Sequence, residues 1–571
     1  MSLTDIYMFQ TSISNKFKNN QKVTTLVISL LVGVYGFFLI TSTLFEQFRI
    51  HHLRFLNNFI IDVHLLLGIG FVYLSIFLAR KKRNALIVAL IAFAFLLGQG
   101  SSELFIHPLK DHLNPSILIR YLILPLLVMI LLLLSRASFK VKSDIPAFRN
   151  SIKLAVLVLV ITLFYGVVGF MLMDRSDFHR EISFISALHH TIDQFDLTTS
   201  TLHPYTKKAK LFMDSLSFIS VISLGYLAVS LFLPVKERLS DQSLQREKVL
   251  RLMEKYSAPS EDFFKLWPHD KHYFFSSNED AAIAYTVRRG VALVLADPVG
   301  NKASFKSLFS NFQQMCWSND WQVSLIHIGQ KYTNFYKDIG FQLQLIGQEA
   351  IVDINHFIEV TAKNKYFRNI KNRYIRENFT VEILDPPHHQ AIVDRLKDIS
   401  KEWLSKPNRT ERGFVMGYFT DNYIQQCRLV IARDAAQTIQ AFINLVPSSS
   451  FNKHEVTYDM LRATKDAPPN INDFMLYELI LSLKQIGLKH LNLGLSPLVG
   501  LDEQTEQNSL ISSVLGFAYV NGDRFYSFSG LHRFKDKYEP VWSDRYIAYK
   551  NGIRGFTKTL NGLLAAMKIR D

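Results

Sequence analysis

The hydrophobic pattern of this chain changes near residue 240. Before that point, long apolar runs alternate with polar loops, and six runs approach the roughly 20 residues that a membrane-spanning helix requires. After it, the apolar runs are short and amphipathic, as in a globular protein. We therefore predict a multi-pass helical membrane domain over 1–234, followed by an α/β domain. The predicted spans are 23–45, 59–79, 85–99, 117–134, 152–173 and 216–233.

Basic residues give the membrane domain an orientation. Lysines and arginines cluster at 16–22, 80–83, 136–149 and 236–238. With six spans these clusters share one side, which the positive-inside rule makes cytoplasmic. The loop at 174–214 is also basic and departs from the rule. We predict that both termini and the globular half are cytoplasmic.

The globular half reads as two similar series of strands and helices. A charged amphipathic linker at 235–259 leads into strand-like segments such as AIAYTV, VALVLADP and VSLIHIG, which are rich in β-branched and aromatic residues. A second series begins at TVEIL and repeats the order of elements. We predict two tandem α/β units, at 260–362 and 379–571, joined by a basic helix at 363–378.

The connecting helix is strongly one-sided. KNKYFRNIKNRYIR, at 363–376, has six basic residues and no acid. At about 100° per residue, its apolar side chains Phe367, Ile370 and Tyr374 fall opposite the basic ones. A solvated face that balances acids elsewhere is the alternative to phosphate binding. We predict that tRNA or lipid phosphate binds Lys365, Arg368, Lys371, Arg373 and Arg376.

Overall charge supports an anionic partner, and cysteine content limits the chemistry. The net charge is +15 over 571 residues, which suits a nucleic acid or an acidic lipid surface. Cys316 and Cys427 are the only cysteines and form neither a disulfide framework nor a CxxC zinc site. We predict no metal site.

Eight motifs, taken in order, resemble the synthase domain of the phosphatidylglycerol lysyltransferase family, also called multiple peptide resistance factors. The resemblance implies two acyltransferase-like units of the GNAT type. It also implies transfer of an amino acid from aminoacyl-tRNA to phosphatidylglycerol in a bacterial cell membrane. The motifs are YFFSSNEDAAIAY (273–285), VALVLADPVG (291–300), IGQEAIVDINHF (346–357), the basic helix, RGFVMGYF (412–419), YDMLR (458–462), LNLGLSPLVG (491–500) and SGLHRFKDKYEPVW (529–542).

The resemblance also sets expectations for donor and cofactor. Lysine is the default donor, and its transfer would make the lipid cationic and weaken attraction of cationic peptides. No Gly-rich pyrophosphate loop follows the expected strand, so we predict no CoA and no other cofactor. Family members usually carry about 14 spans, including a lipid-flipping module, so six predicted spans leave flipping doubtful.

Site residues follow from the same resemblance. It implies that Asp459 binds the α-ammonium of the aminoacyl group and that Arg462 binds a phosphate or carbonyl oxygen. A mutual Asp459–Arg462 pair is the open alternative. Lys535 completes the candidate catalytic set.

Four further residues are candidates for substrate binding. Lys535 and Lys537 alternate, which predicts one shared face on a strand; a charged edge strand that discourages aggregation is the alternative. The candidate substrate-binding residues are Lys537, Arg533, Asp473 and Glu349.

The sequence leaves two other functions open. One is an acyl-CoA-dependent N-acyltransferase that acts on a membrane substrate. The other is a non-catalytic scaffold that binds anionic lipid through the basic helix. The sequence leaves the donor amino acid, the exact lipid acceptor and the oligomeric state undetermined.

Overall fold

In a computed structural model, the chain separates into two compact units. The first comprises Met1–Lys236 with Trp317–Asp320, and the second comprises Glu237–Cys316 with Trp321–Asp571. The structure describes residues 24–42, 63–106, 118–142, 145–179, 181–193, 202, 204–230, 232, 242–407, 409–497 and 528–569.

The described residues of the first unit are mainly helical. Within them, α1 alone is long and apolar enough to cross a membrane by itself, while shorter apolar stretches occur within the four following helices. The six-span arrangement stays a prediction, and the ends of several predicted spans lie outside the described residues. The helices are α1 (Thr24–Ser42), α2 (Val63–Ala79), α3 (Arg83–Ile106), α4 (Leu124–Leu134), α5 (Ile145–Met171), α6 (Arg175–Phe178), α7 (Phe184–Asp193) and α8 (Lys207–Ser230).

In the part of the second unit that the structure describes, the strands form one twelve-stranded sheet. Its strand order is β1-β2-β3-β5-β12-β6-β11-β10-β9-β8-β7, with β4 paired to β2. The pairs β3–β5 and β10–β11 are parallel, and the other pairs are antiparallel. The strands are β1 (His272–Phe275), β2 (Ala281–Arg288), β3 (Val291–Leu295), β4 (Val299–Gly300), β5 (Gln322–Gly329), β6 (Gln342–Asp353), β7 (Thr380–Leu384), β8 (Arg428–Arg433), β9 (Ile439–Leu445), β10 (Glu455–Ala463), β11 (His490–Pro497) and β12 (Val541–Tyr549).

The last strand lies far from its neighbours in sequence. β12 pairs with both β5 and β6, so the C-terminal strand is inserted among strands of the first predicted α/β unit. The sheet is continuous from that unit into the second. The division into two tandem units stays a prediction from the sequence.

Ten helices cover this sheet within the described residues. One of them, α16, buries nine of its fifteen residues, because it packs in the core beside β8, β9 and β10 rather than on the surface. The helices are α9 (Ser243–Tyr256), α10 (Phe305–Ser318), α11 (Thr333–Asp338), α12 (Ile354–Glu359), α13 (Lys365–Arg376), α14 (Gln390–Leu404), α15 (Asp421–Ile424), α16 (Ile471–Gln485), α17 (Phe528–Asp536) and α18 (Gly552–Met567).

Two sequence predictions for helices have opposite outcomes. The amphipathic helix α13 is confirmed: Phe367, Ile370 and Tyr374 are its buried residues. The strand predicted around Lys535 and Lys537 is wrong, because Phe528–Asp536 is helical. The apolar side chains there recur at three- and four-residue intervals, which is the spacing that buries one face of a helix.

Candidate active site

Irregularities in four neighbouring strands coincide near the middle of the sheet. His327 in β5 has a φ of 66°, and Gly494 in β11 has a φ of 80°. The pairing of β12 with β6 shifts register between Arg545 and Tyr546. Bulges of this kind bend strands and redirect side chains, often beside active sites. These irregularities lie where a group of charged side chains meets.

We call this group the central cluster: Glu261, His327, Glu349, Lys535 and Arg545. Arg545 Nη2 lies 3.2 Å from Glu261 Oε1 and also contacts Glu349 Oε2. His327 Nδ1 lies 3.5 Å from Glu261 Oε2, and His327 Nε2 lies 3.9 Å from Glu349 Oε1. One guanidinium and one imidazole thus lie between two carboxyl groups.

Burial controls protonation in the central cluster. Glu349 is 1% exposed, and burial together with the neighbouring Glu261 raises its pKa to about 8. Burial lowers the pKa of His327 to about 4. Burial disfavours the charged form in both cases. At neutral pH, Glu349 is therefore mostly a protonated acid, His327 is neutral, and Arg545 keeps its positive charge.

Lys535 lies in the last turn of α17 and is 3% exposed. Its Nζ donates to the carbonyl oxygens of Gly494 and Leu495, both at 2.8 Å. Burial lowers the pKa of this amine to about 7, although Glu349 acts in the opposite direction. A neutral amine has two N–H bonds, and both can donate to these carbonyls. The remaining lone pair is then available to accept a proton.

The same cluster contains the one group of possible metal ligands in the described part of the chain. Ligand atoms of Glu261, His327 and Glu349 lie within 4.8 Å of one another. The Arg545 guanidinium contacts both carboxyl groups and supplies positive charge between them. The absence of a metal and of any other cofactor stays a prediction.

Asp459 and Arg462, predicted to be catalytic, both lie on β10 and contact the segment that precedes and includes α15. The Gly417 N–H donates to Asp459 Oδ1 at 3.1 Å, and burial raises the pKa of Asp459 to about 6. Arg462 forms an ion pair with Glu411 at 2.9 Å and also contacts Ser400. The two residues thus form a second polar site, with Glu411 as the carboxylate that pairs with Arg462.

Asp473 and Lys537, predicted to bind substrate, bind each other. Lys537 Nζ lies 2.6 and 2.7 Å from the two carboxylate oxygens of Asp473. The hydroxyl groups of Tyr366 and Tyr538 donate to the same carboxylate at 3.0 and 2.8 Å. This arrangement, which we call the Asp473 clasp, ties α13 and the end of α17 to the start of α16. Any role in substrate binding stays a prediction.

The predicted phosphate-binding residues are spread along α13. Lys365, Arg368 and Arg376 are exposed. Arg373 forms an ion pair with Glu377 at 2.9 Å, and Lys371 lies over the ring of Tyr477. Arg533 is on the exposed side of α17. Three of the five α13 candidates are therefore exposed to solvent, as contact with phosphates requires.

Sequence reasoning missed three members of the central cluster: Glu261, His327 and Arg545. Arg545 lies three residues after the last of the eight motifs, and nothing in the sequence marked it individually. His327 lies between two isoleucines of β5, and Glu261 lies in a short 3₁₀ segment. Only the pairing of β12 with β5 and β6 brings them together.

Comparison with solved structures defines the class of protein. The second unit has the acyltransferase-like fold of L-PGS from Bacillus licheniformis, with a TM-score of 0.50 and 28% identity, covering 58% of this chain and 98% of that chain. A C-terminal domain from Agrobacterium fabrum gives a TM-score of 0.50 and 26% identity, covering 57% and 97%.

The chain belongs to the family described as "Phosphatidylglycerol lysyltransferase, C-terminal", whose profile matches residues 250–549. The predicted family is thus confirmed. The phosphatidylglycerol lysyltransferase of Bacillus subtilis is 33% identical over 282 residues, which cover 49% of this chain and 32% of that protein. The enzyme of the same name from Staphylococcus epidermidis is 31% identical over 281 residues, which cover 49% and 33%. The chain therefore matches about a third of the length of these relatives.

Proposed function

We propose that this protein transfers an amino acid, lysine by default, from aminoacyl-tRNA to a headgroup hydroxyl of phosphatidylglycerol. The acceptor lies in the cytoplasmic leaflet, and no cofactor takes part. Family membership supports the lipid substrate. The observation that carries the chemistry is the central cluster, which combines an amine able to be neutral, a protonated carboxylic acid and a fixed positive charge.

Each group in the central cluster suits one step of ester exchange. Lys535 takes the proton from the lipid hydroxyl as its oxygen attacks the aminoacyl carbonyl carbon. Arg545 stabilises the negative oxygen of the tetrahedral intermediate. Glu349 gives its proton to the departing ribose oxygen as the old ester bond breaks. A proton then returns from Lys535 to the adjacent Glu349, and both groups regain their starting states.

The second polar site and α13 take supporting parts in this proposal. Asp459 is a buried carboxyl group suited to the α-ammonium of the aminoacyl group, with Arg462 beside it. The exposed residues Lys365, Arg368 and Arg376 suit the tRNA backbone, where each cation neutralises a phosphate. An aminoacyl ester is already activated, so holding both substrates in the correct orientation supplies much of the rate.

Transfer of radiolabel tests the proposal. The full chain in phosphatidylglycerol-containing membranes is incubated with tRNA charged with labelled lysine, alanine or arginine, and the lipid extract is counted. We expect label in the lipid, sensitivity to ribonuclease, and loss of about 10²–10⁴-fold in rate on Lys535→Met. Lys489→Met, which removes an exposed lysine, is the matched control. Folded protein that labels no lipid with any donor would refute the proposal.

A further inference from the structure

A basic groove lies at the opposite end of the strands from the central cluster. It is shallow and open to solvent, has a volume of about 490 Å³, and is lined by Arg289, Arg554, Thr557, Lys558 and Asn561. Three of these residues are cationic, two are neutral hydrogen-bonding groups and none is acidic. Such a lining is complementary to a phosphate group.

The groove is separated from the chemistry of the central cluster. It lies beside the start of β5, where the Gln322 N–H donates to the Gly290 carbonyl oxygen of the β2–β3 turn at 3.0 Å. His327 is five residues further along β5. At about 3.3 Å per residue, the two places are about 16 Å apart. The groove is therefore a site additional to the central cluster.

Both walls of the groove are fixed to the sheet. Arg289 and Gly290 have φ values of 51° and 71°, as in the tight two-residue turns that join hairpin strands. On the other wall, the buried Thr559 hydroxyl of α18 lies 2.8 Å from Ser324 Oγ and 3.1 Å from Gln322 Nε2. The cationic side chains thus extend from a rigid frame, which lowers the entropic cost of binding.

The outer face of α18 combines positive charge with exposed apolar side chains. Leu564 is 63% exposed and Ile553 is 41% exposed. They are eleven residues apart, about three helical turns, so both lie on the same face of α18. Arg554 and Lys558 lie beside them on the exposed surface, and the helix contains no acidic residue. Apolar side chains adjoining cations are typical of helices that lie on anionic bilayers, whereas an RNA backbone offers no apolar contact for Leu564.

We propose that this groove and the outer face of α18 bind the surface of an anionic bilayer, with a lipid headgroup phosphate in the groove. This site would hold the second unit on the membrane whether or not a substrate occupies the central cluster. Binding of lipid at this site does not depend on the transfer reaction. The site should bind any anionic phospholipid, including lipids that accept no amino acid.

Nanodiscs containing the full chain provide the test. An environment-sensitive fluorophore is attached at Leu564→Cys, with the parent chain, whose two cysteines are buried, as the labelling control. Three disc compositions are compared: phosphatidylcholine alone, phosphatidylcholine with phosphatidylglycerol, and phosphatidylcholine with phosphatidylserine. The phosphatidylserine discs separate headgroup binding from binding of the proposed acceptor. We expect a blue shift with both anionic lipids and none with phosphatidylcholine alone.

Charge removal makes the test specific. The triple variant Arg289→Gln, Arg554→Gln, Lys558→Gln should shift the docking equilibrium about a hundredfold toward the undocked state, since each cation contributes about a tenfold factor or less at such a surface. It should keep its thermal unfolding midpoint and transfer activity in detergent micelles. The matched control removes three exposed lysines elsewhere: Lys306, Lys337 and Lys489.

Three results would overturn the proposal. One is an equal fluorescence response in neutral and anionic discs, and another is a blue shift that the triple variant retains. The third is weaker binding of uncharged tRNA by the triple variant with an unchanged lipid response, which would identify the groove as an RNA contact. Each of these results leaves the proposed amino acid transfer untouched, because transfer is measured separately.

Discussion

The proposed role of Lys535 as a base predicts a specific response to substitution by arginine. Lys535→Arg keeps a positive charge beside Gly494 and Leu495, but arginine does not lose its proton in this pH range. If Lys535 served only to attract a phosphate, the arginine variant would retain much of the activity. If Lys535 accepts a proton, activity falls to that of Lys535→Met at every pH from 6 to 9.

The size of the effect follows from burial. An ordinary lysine has a pKa of 10.5, and burial brings that of Lys535 to about 7. At pH 7 about half of this amine is neutral, against about 3 in 10,000 for an exposed lysine, a gain of about a thousandfold in available base. Loss of a positioned base typically costs about 10²–10⁴ in rate. We expect both variants to fall within that range.

The assay is a pH profile of single-turnover transfer, corrected at each pH for spontaneous hydrolysis of the aminoacyl ester. Activity should rise as pH passes through about 7, because Lys535 loses its proton, and fall above about 8, because Glu349 loses the proton that it donates. The two apparent pKa values of this profile belong to the coupled pair Lys535 and Glu349 rather than to either group alone. Glu349→Gln should lower the maximum rate and abolish the alkaline fall.

The rise in activity near pH 7, the acid limb of the profile, can refute the proposed role of Lys535 as a base. Glu349 raises the pKa of Lys535, so Glu349→Gln can leave the acid limb in place or move it to lower pH. A move to higher pH, or an arginine variant with more than about a tenth of wild-type activity, would refute the base role. Unfolding midpoints of all variants in detergent show whether a lost rate reflects lost structure.

Three further variants test other parts of the second unit. Gly417→Ala places a Cβ onto Asp459 Oδ2 and should destabilise both the fold and the transition state of transfer by about 1–3 kcal/mol. The control is Gly413→Ala, whose Cβ would meet Asp270 Oδ2 at an ordinary contact distance of 3.4 Å. Equal unfolding midpoints of the two variants would contradict the prediction. Asp473→Asn removes the charge of the Asp473 clasp and should lower stability by about 1.5–3 kcal/mol in thermal unfolding; an effect no larger than that of the exposed Asp466→Asn would contradict it. Replacing Arg368 and Arg376 by Gln should weaken tRNA binding in fluorescence anisotropy and reduce its salt slope by about 2; an unchanged slope would exclude these contacts.

Local patterns in the sequence account for most elements of the second unit. Runs of apolar, aromatic and β-branched residues predicted strands at β2 and β3, and both strands are almost wholly buried. The buried face of α13 followed from helical spacing alone. Each of these predictions depends only on residues close together in the chain, whose hydrophobic periodicity can be read from the sequence.

The parts that the sequence did not predict depend on distant pairing. No local signal indicates that β12 enters between β5 and β6, and that insertion is what brings Arg545 to Glu349. The error at Lys535 has a different cause. Alternating lysines suggested a strand, while Leu531, Phe534 and Tyr538 had the three- and four-residue spacing of a helix. Burial of an amine on that helix contradicts the usual exposure of lysine.

The position of Glu349 explains why the central cluster needs the whole sheet. Glu349 lies on β6, opposite Leu495 of β11 on one side and Ser543 of β12 on the other. Leu495 offers its carbonyl oxygen to Lys535, and β12 carries Arg545. The proposed acid therefore lies between the strand that anchors the base and the strand that carries the fixed charge. Neither predicted α/β unit contains all three groups, so a unit expressed alone would lack the geometry that the proposed reaction requires.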